Sequence, residues 1–98
     1  MTDVAAREFS AISMEGVRFK LVVRIGTPYA TDTDWACPVA LEGLDRRTPD
    51  MHGVDSLQAL VLAVKLARSR LEHFILSGGS LYFLGEEDSP LTVEEVFW

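Results

Sequence analysis

The stretch Gly53-Val54-Asp55-Ser56-Leu57-Gln58-Ala59-Leu60 opens the longest helical pattern in the chain, and the fold class follows from it. Asp55 is a good N-cap, because its carboxylate can accept the unpaired N–H groups of a first helical turn. Gln58 has the spacing of a capping box and can reach back to the backbone N–H of Asp55. No glycine or proline follows until Gly78, so the pattern predicts one helix that ends at Ser77.

The apolar residues of this helix recur at three- and four-residue spacing, which predicts the face that packs on a sheet. That face comprises Leu57, Leu60, Val61, Val64, Ala67, Leu71, Phe74 and Ile75. Leu62 and Leu66 lie away from it, with Ala59 close by. A second apolar side indicates either cover by another element, such as the C-terminal segment, or a contact with a partner. The sequence leaves both readings open.

The segment before the helix has the pattern of a β-hairpin. Residues 17–25 alternate strictly between apolar and other positions, which indicates a strand with one buried face. Residues 7–13 are a weaker strand. A three-residue turn between them sets Phe9 opposite Leu21 on the buried face, whereas a two-residue turn would set it opposite Val22 on the wrong face. The pattern therefore predicts the longer turn.

The remaining segments complete the sheet. Residues 35–44 form a third strand, in which Pro38 indicates an edge position or a bulge because it has no N–H. The segments 26–34 and 43–53 are loops. Residues 80–85 form a fourth strand. Residues 91–98 are a short helical turn in preference to a short strand, since Thr92 and Glu95 have capping-box spacing.

The element order β-β-β-α-β predicts an α+β two-layer sandwich, with a mostly antiparallel four-stranded sheet and one long helix on one face. We treat residues 1–98 as a single domain in which 1–5 and 86–98 are less ordered. The uncovered face of the sheet mixes basic side chains with Val22, so this residue is a further candidate contact.

Composition limits the possible functions. Charged residues at 24% and hydrophobic residues at 48% are ordinary for a globular chain. The lone cysteine excludes a disulfide framework and favours a reducing compartment. With no signal pattern at the N-terminus and no apolar run of membrane-spanning length, we expect a cytoplasmic protein without a membrane segment.

The charge distribution argues against nucleic-acid binding. The net charge is −6, and residues 78–98 have five acidic and no basic side chains. The only basic stripe, Arg18, Lys20 and Arg24, lacks the interleaved aromatic residues that single-strand binders use.

No motif predicts catalysis, a metal site or a cofactor. Neither His52 nor His73 has a ligand partner at metal-site spacing. Cys37 shares a strand face with Trp35, which indicates a small buried hydrophobe and not a nucleophile. We therefore expect no enzyme activity and no cofactor. A small-molecule pocket formed by Tyr29, Trp35, His52 and Asp55 remains an alternative.

Three elements together resemble a family of small, uncharacterised bacterial proteins. They are Asp34-Trp35-Ala36-Cys37-Pro38, then Gly43, then the stretch from Gly53 to Leu60. The resemblance spans about residues 17–85 and implies a bacterial, single-domain, cytosolic protein. It implies no catalytic residue.

These observations favour a non-enzymatic protein–protein interaction module that self-associates as a homodimer, or that binds an unidentified protein partner. The candidate interface is Ala59, Leu62, Leu66 and Val22. One alternative is an immunity-type protein that blocks a basic toxin, an analogy that rests on the small acidic α+β fold alone. The other is the small-molecule-binding domain just described.

Overall fold

A computed structural model describes residues 2–97 and shows the α+β fold expected from the sequence. Met1 and Trp98 lie outside the described residues, and the expectation that the two chain ends are less ordered falls outside them at these two positions. The strands are β1 (Asp3–Ile12), β2 (Arg18–Gly26), β3 (Tyr29–Ala30), β4 (Trp35–Cys37), β5 (Val39–Glu42), β6 (Met51–Gly53) and β7 (Ser80–Phe83). The helices are α1 (Ser56–Leu76) and α2 (Val93–Phe97).

The strands form two antiparallel sheets. The main sheet has four strands in the order β5-β2-β1-β7, and a small sheet has three in the order β3-β4-β6. The predicted hairpin is confirmed, because Phe9 lies opposite Leu21. Ser13 closes the hairpin by donating its N–H to the Val17 carbonyl at 2.8 Å. The first strand, however, begins at Asp3 and not at Arg7.

The segment predicted as one strand from 35 to 44 is divided at Pro38. Residues before it join the small sheet as β4, and residues after it join the main sheet as β5. Proline has no N–H for a ladder, so the chain can change sheets there, while the Pro38 carbonyl accepts from the Gly26 N–H at 2.8 Å. The two predicted loops are also wrong in part, since β3 and β6 lie within them.

Helix α1 begins and ends as its sequence indicates. The Asp55 carboxylate accepts the Gln58 N–H at 2.8 Å. The Gln58 side chain accepts from Val54 at 2.7 Å, one residue earlier than the predicted Asp55. At the other end, the N–H of Gly78 reaches the Ile75 carbonyl at 3.0 Å, which closes the last turn.

The buried face of α1 agrees with the predicted one only in part: Ala67 and Leu71 are buried, and Leu60, Val64, Phe74 and Ile75 pack against the core. Its buried row is Ala59, Ala63, Ala67 and Leu71. Leu57 and Val61, expected in the core, are 67% and 42% exposed. Alanine side chains let a helix backbone approach a sheet closely, so the larger residues are displaced to the two flanks of the row. The prediction was wrong at Leu57 and Val61 because it assumed that the largest apolar side chains face the sheet.

The C-terminal segment is helical, as predicted. The Thr92 N–H donates to the Glu95 carboxylate at 3.1 Å, which is one half of a capping box. Helix α2 packs beside α1, where the Arg68 guanidinium lies 3.7 Å from the Glu94 carboxylate. Neither helix of the described chain is both long and apolar enough to cross a membrane.

Candidate interaction site

The small sheet separates the residues of the predicted pocket. Ala36 pairs with Tyr29 on one side and with His52 on the other, so these three positions share one face. Trp35, the preceding residue on β4, points to the opposite face and packs against the core. Asp55 is occupied as the cap of α1. Tyr29 and His52 are therefore brought together, whereas Trp35 and Asp55 are not.

The polar groups on this face already have protein partners. The Tyr29 hydroxyl donates to Asp50 at 2.5 Å, and this bond to a carboxylate raises the pKa of Tyr29. His52 Nδ1 lies 3.0 Å from an Asp34 carboxylate oxygen. A hydrogen bond from Thr31, followed by the one from His52, lowers the pKa of Asp34. These contacts hold the loops of the small sheet together and leave no convergent set of polar groups for a ligand.

The chemistry that a metal or a nucleophile needs is also missing from residues 2–97. There, no three His, Cys, Asp or Glu side chains converge as a metal-binding group. Cys37 is fully buried, with its sulfur 3.3 Å from the Gly26 carbonyl oxygen. Burial raises the pKa of this thiol, which disfavours the reactive thiolate.

The predicted interface residues occupy different environments. Ala59 is fully buried in the core and has no surface to offer a partner. Leu66 is half-buried and packs against the core, and Leu62 is half-buried beside it. On the outer face of the main sheet, Val22 is half-buried. These positions therefore do not form one exposed surface.

The basic stripe on the outer face of the main sheet is paired with carboxylates. The ion pairs are Arg24 with Asp3 and Glu42, Lys20 with Glu8, and Arg18 with Glu87, at 2.8–3.3 Å. Each cation of the stripe thus has an acidic neighbour within its own chain. A phosphate backbone would have to displace these carboxylates, so the surface is poorly suited to nucleic acid.

Sequence reasoning missed an apolar groove between α1 and the first half of β1. It has a volume of about 260 Å³. Phe9, Val23 and Ile25 form its floor, and Val64 of α1 forms one wall. Helix α2 closes one end with Val96 and Phe97. The remaining wall is the strand itself, at residues 5–7.

The outer edge of β1 beside this groove has no strand neighbour over residues 3–8. Strand β7 pairs only with Phe9–Ile12, while β2 pairs with the other side of β1 from Asp3 to Ile12, with one bulge between Asp3 and Ala5. Within residues 2–97, no further strand pairs with this edge. An unpaired row of N–H and C=O groups next to an apolar groove is the geometry to which an additional strand binds.

The hydrogen-bond pattern identifies which backbone groups are open. Ser13 bonds to β2, and the direction of bonding alternates along an antiparallel strand, so odd-numbered residues of β1 from Ala5 to Ala11 face β2. A bulge between Asp3 and Ala5 breaks this alternation at the start of the strand. The N–H and C=O groups of the even-numbered residues in this range point to the other side, where Ser10 and Ile12 lie opposite residues of β7. Beyond the end of β7, the N–H and C=O groups of Ala6 and Glu8 therefore point out of the sheet.

Apolar side chains of α1 extend this surface. Leu57, Val61 and Val64 follow one another at four- and three-residue spacing, so they form one row on the groove side of the helix. Both are exposed. Leu62 and Leu66, by contrast, lie on the other flank. There Arg70 ties the loop after β5 to α1 through two hydrogen bonds to Asp45 at 2.8 and 2.9 Å.

Comparison with known proteins places the chain in one family. The model of the family "Domain of unknown function (DUF6968)" matches residues 5–93, and the chain belongs to that family. No curated protein and no solved structure shows significant similarity to it. The matched range includes most of the open edge of β1 and all of α1.

Proposed function

We propose that this member of the DUF6968 family is a non-enzymatic interaction module that self-associates through the open edge of β1. The surface comprises residues 3–8 of β1, the apolar groove, and the row of Leu57 and Val61 beside it. One observation supports the proposal above the others. Residues 3–8 of β1 have no strand partner beyond the end of β7 within residues 2–97, and Ala5, Ala6 and Arg7 of this segment line the apolar groove.

A second copy of the chain is the partner that this edge suits best. Two identical strands can pair antiparallel about a two-fold axis, and each then satisfies the open groups of the other. The same contact covers both grooves. A stable interface usually involves roughly 20–30 residues from each partner, and this surface has fewer. We therefore expect a weak dimer with a Kd in the micromolar range.

Sedimentation velocity over a concentration series tests this proposal. We expect the wild-type chain to shift from monomer to dimer as the concentration rises. The variant Ala6→Pro removes one outward N–H without breaking a bond inside the chain, so it should stay folded and monomeric. Ala6→Ser keeps the N–H and is the matched control, which should still dimerise. A wild-type chain that stays monomeric at millimolar concentration would overturn the proposal.

We also propose the bacterial cytoplasm as the location. The buried, unpaired Cys37 suits a reducing compartment, and the sequence resembles small bacterial proteins. Cell fractionation with an antibody to the chain checks this, and recovery from the periplasm or the medium would contradict it.

A further inference from the structure

We infer that the apolar groove of a single copy binds a medium-chain fatty acid, with the carboxylate on Arg7 and the hydrocarbon chain along the floor. This ligand site goes beyond the proposed self-association, because it needs no second copy of the chain. Two features of the groove support this ligand: an elongated apolar floor, and an arginine without an acidic neighbour.

The floor of the groove runs along the strands of the main sheet. Ala5 lies opposite Ile25 and Arg7 lies opposite Val23, so the floor extends from Phe9 towards the start of β1. In an extended strand, the distance from Phe9 to Ala5 is about 13 Å, which matches the length of an extended decanoate chain. The bulge of β1 lies beyond this stretch. A linear hydrocarbon chain therefore fits the groove along its length.

The lining of the groove is mainly apolar. Val23 and Ile25 contribute aliphatic surface from the sheet, Val64 contributes it from α1, and Phe97 closes one end with an aromatic ring. The volume of about 260 Å³ is small beside most ligand pockets. The groove thus suits the chain of a single small amphiphile and not a large cofactor.

Arg7 brings a positive charge to this apolar face of the sheet. It lies between Ala5 and Phe9, at a position where the alternation of β1 favours an apolar residue. The Arg7 guanidinium lies 4.6 Å from the centroid of the Phe83 ring, and Phe83 stacks on Phe9 of the floor. The charge is therefore held near the Phe9 end of the groove.

The N–H donors of this guanidinium are open to a ligand. Among residues 2–97, the Arg7 side chain has no hydrogen bond and no ion pair, and its contact with the Phe83 ring leaves its donors unused. On the outer face, by contrast, Arg18, Lys20 and Arg24 each pair with a carboxylate. A guanidinium binds a carboxylate through two parallel N–H···O bonds. Arg7 thus favours an anionic head group on the ligand.

The groove and Arg7 contribute differently to binding. Each methylene group removed from water strengthens binding, whereas an exposed ion pair adds little affinity. The chain therefore supplies most of the affinity, and Arg7 determines the preference for a carboxylate. For a ligand of this size in an open groove, we expect a Kd of about 0.1–1 mM.

Titration with sodium decanoate tests the site, at a protein concentration where sedimentation shows monomers. The methyl NMR signals of Val23, Ile25 and Val64 should shift in a saturable way. The absence of saturable shifts at decanoate concentrations well above the expected Kd would overturn the inference. Shifts confined to residues outside the groove would overturn it as well.

Two matched variants test whether the ligand occupies the groove. Ala5 lies opposite Ile25 on the groove face, whereas Ala6 lies opposite Arg24 on the outer face. Both alanines are exposed, so Ala5→Phe and Ala6→Phe should both fold. A ring at position 5 would displace about two methylene groups of the chain, so Ala5→Phe should weaken decanoate binding about tenfold. Ala6→Phe should leave it almost unchanged, and equal affinities of the two variants would contradict the site.

The role of Arg7 is tested with decanol, which has the same chain without the charge. Arg7→Gln should weaken decanoate binding about threefold to fivefold and leave decanol binding unchanged, while Arg7→Lys should retain most of the decanoate affinity. Equal losses for decanoate and decanol would overturn the placement of the carboxylate on Arg7. A wild-type chain that stays monomeric at every concentration would refute the proposed self-association and leave these measurements valid.

Discussion

The two halves of β1 belong to one strand but have opposite surroundings, and only the outer half contains a bulge, between Asp3 and Ala5. Residues 9–12 pair with β2 on one side and β7 on the other, and Phe9 and Ala11 are fully buried. Residues 3–8 pair with β2 alone, and all six are exposed. The difference arises from the neighbour, because β7 has four residues and β1 has ten. A mismatch in strand length therefore leaves the sheet partly open along the outer half of β1.

The largest expected contrast is in amide hydrogen exchange, measured by NMR on dilute protein. In the inner half, Ser10 and Ile12 should exchange only through global unfolding, at least ~10³-fold more slowly than Ala6 and Glu8. The backbone N–H of Arg7 faces β2, so it should be protected from exchange although its neighbours Ala6 and Glu8 are not. Raising the concentration should protect Ala6 and Glu8 as well. Uniform protection along β1 in dilute solution would contradict the open edge.

Core truncation should give the next largest difference. Phe9 is fully buried, and its ring stacks on Phe83 with the centroids 6.1 Å apart. We expect Phe9→Ala to lower the free energy of unfolding by about 3–5 kcal/mol in urea denaturation. Val4→Ala is the matched control in the outer half, where an exposed side chain should cost about 0.5 kcal/mol or less. Similar losses for both variants would refute the contrast.

Proline substitution sharpens the same comparison at the level of the backbone. The N–H of Ser10 faces β7, opposite Tyr82, so Ser10→Pro should lower the free energy of unfolding by about 1–3 kcal/mol. Ala6→Pro loses no bond within the monomer and should cost less than about 1 kcal/mol. Thermal unfolding of both variants at low concentration measures this. A larger loss for Ala6→Pro would show that residues 3–8 are paired in the monomer.

The smallest expected effect concerns a contact that links the halves. The Arg7 guanidinium of the outer half lies over the Phe83 ring, 4.6 Å from its centroid. Removing it with Arg7→Ala should cost about 0.5–1 kcal/mol, and Arg7→Lys should restore part of the loss. Chemical denaturation of the three proteins is the measurement. If Arg7→Lys is no better than Arg7→Ala, the ring contact does not stabilise the fold.

Local patterns in the sequence predicted much of the fold. The hairpin register followed from the alternation around Phe9 and Leu21, and the limits of α1 followed from Asp55 and Gly78. Both depend on residues close together in the chain. The β3 and β6 strands were missed because each has only two or three residues, too few for a periodic pattern.

The candidate site was largely beyond sequence reasoning. The open edge depends on how far β7 extends along β1, which is a matter of pairing between distant segments. The sequence pattern also predicted a first strand that begins only at Arg7, so most of the outer half of β1 was not expected. The groove flank of α1 was missed because Leu57 and Val61 were assigned to the core, and Ala59 was assigned to a contact surface.

The alanine row on α1 determines which substitutions this core can tolerate. Ala59, Ala63 and Ala67 can lose only one methyl group each, so replacement by glycine should cost about 1 kcal/mol, mainly through helix propensity. Replacement by a larger residue has a greater effect, because each added methylene would push the closely packed helix α1 away from its sheet. The helix side of this core is thus more sensitive to enlargement than to truncation, whereas the sheet side, with Phe9 and Leu21 fully buried, is sensitive to truncation.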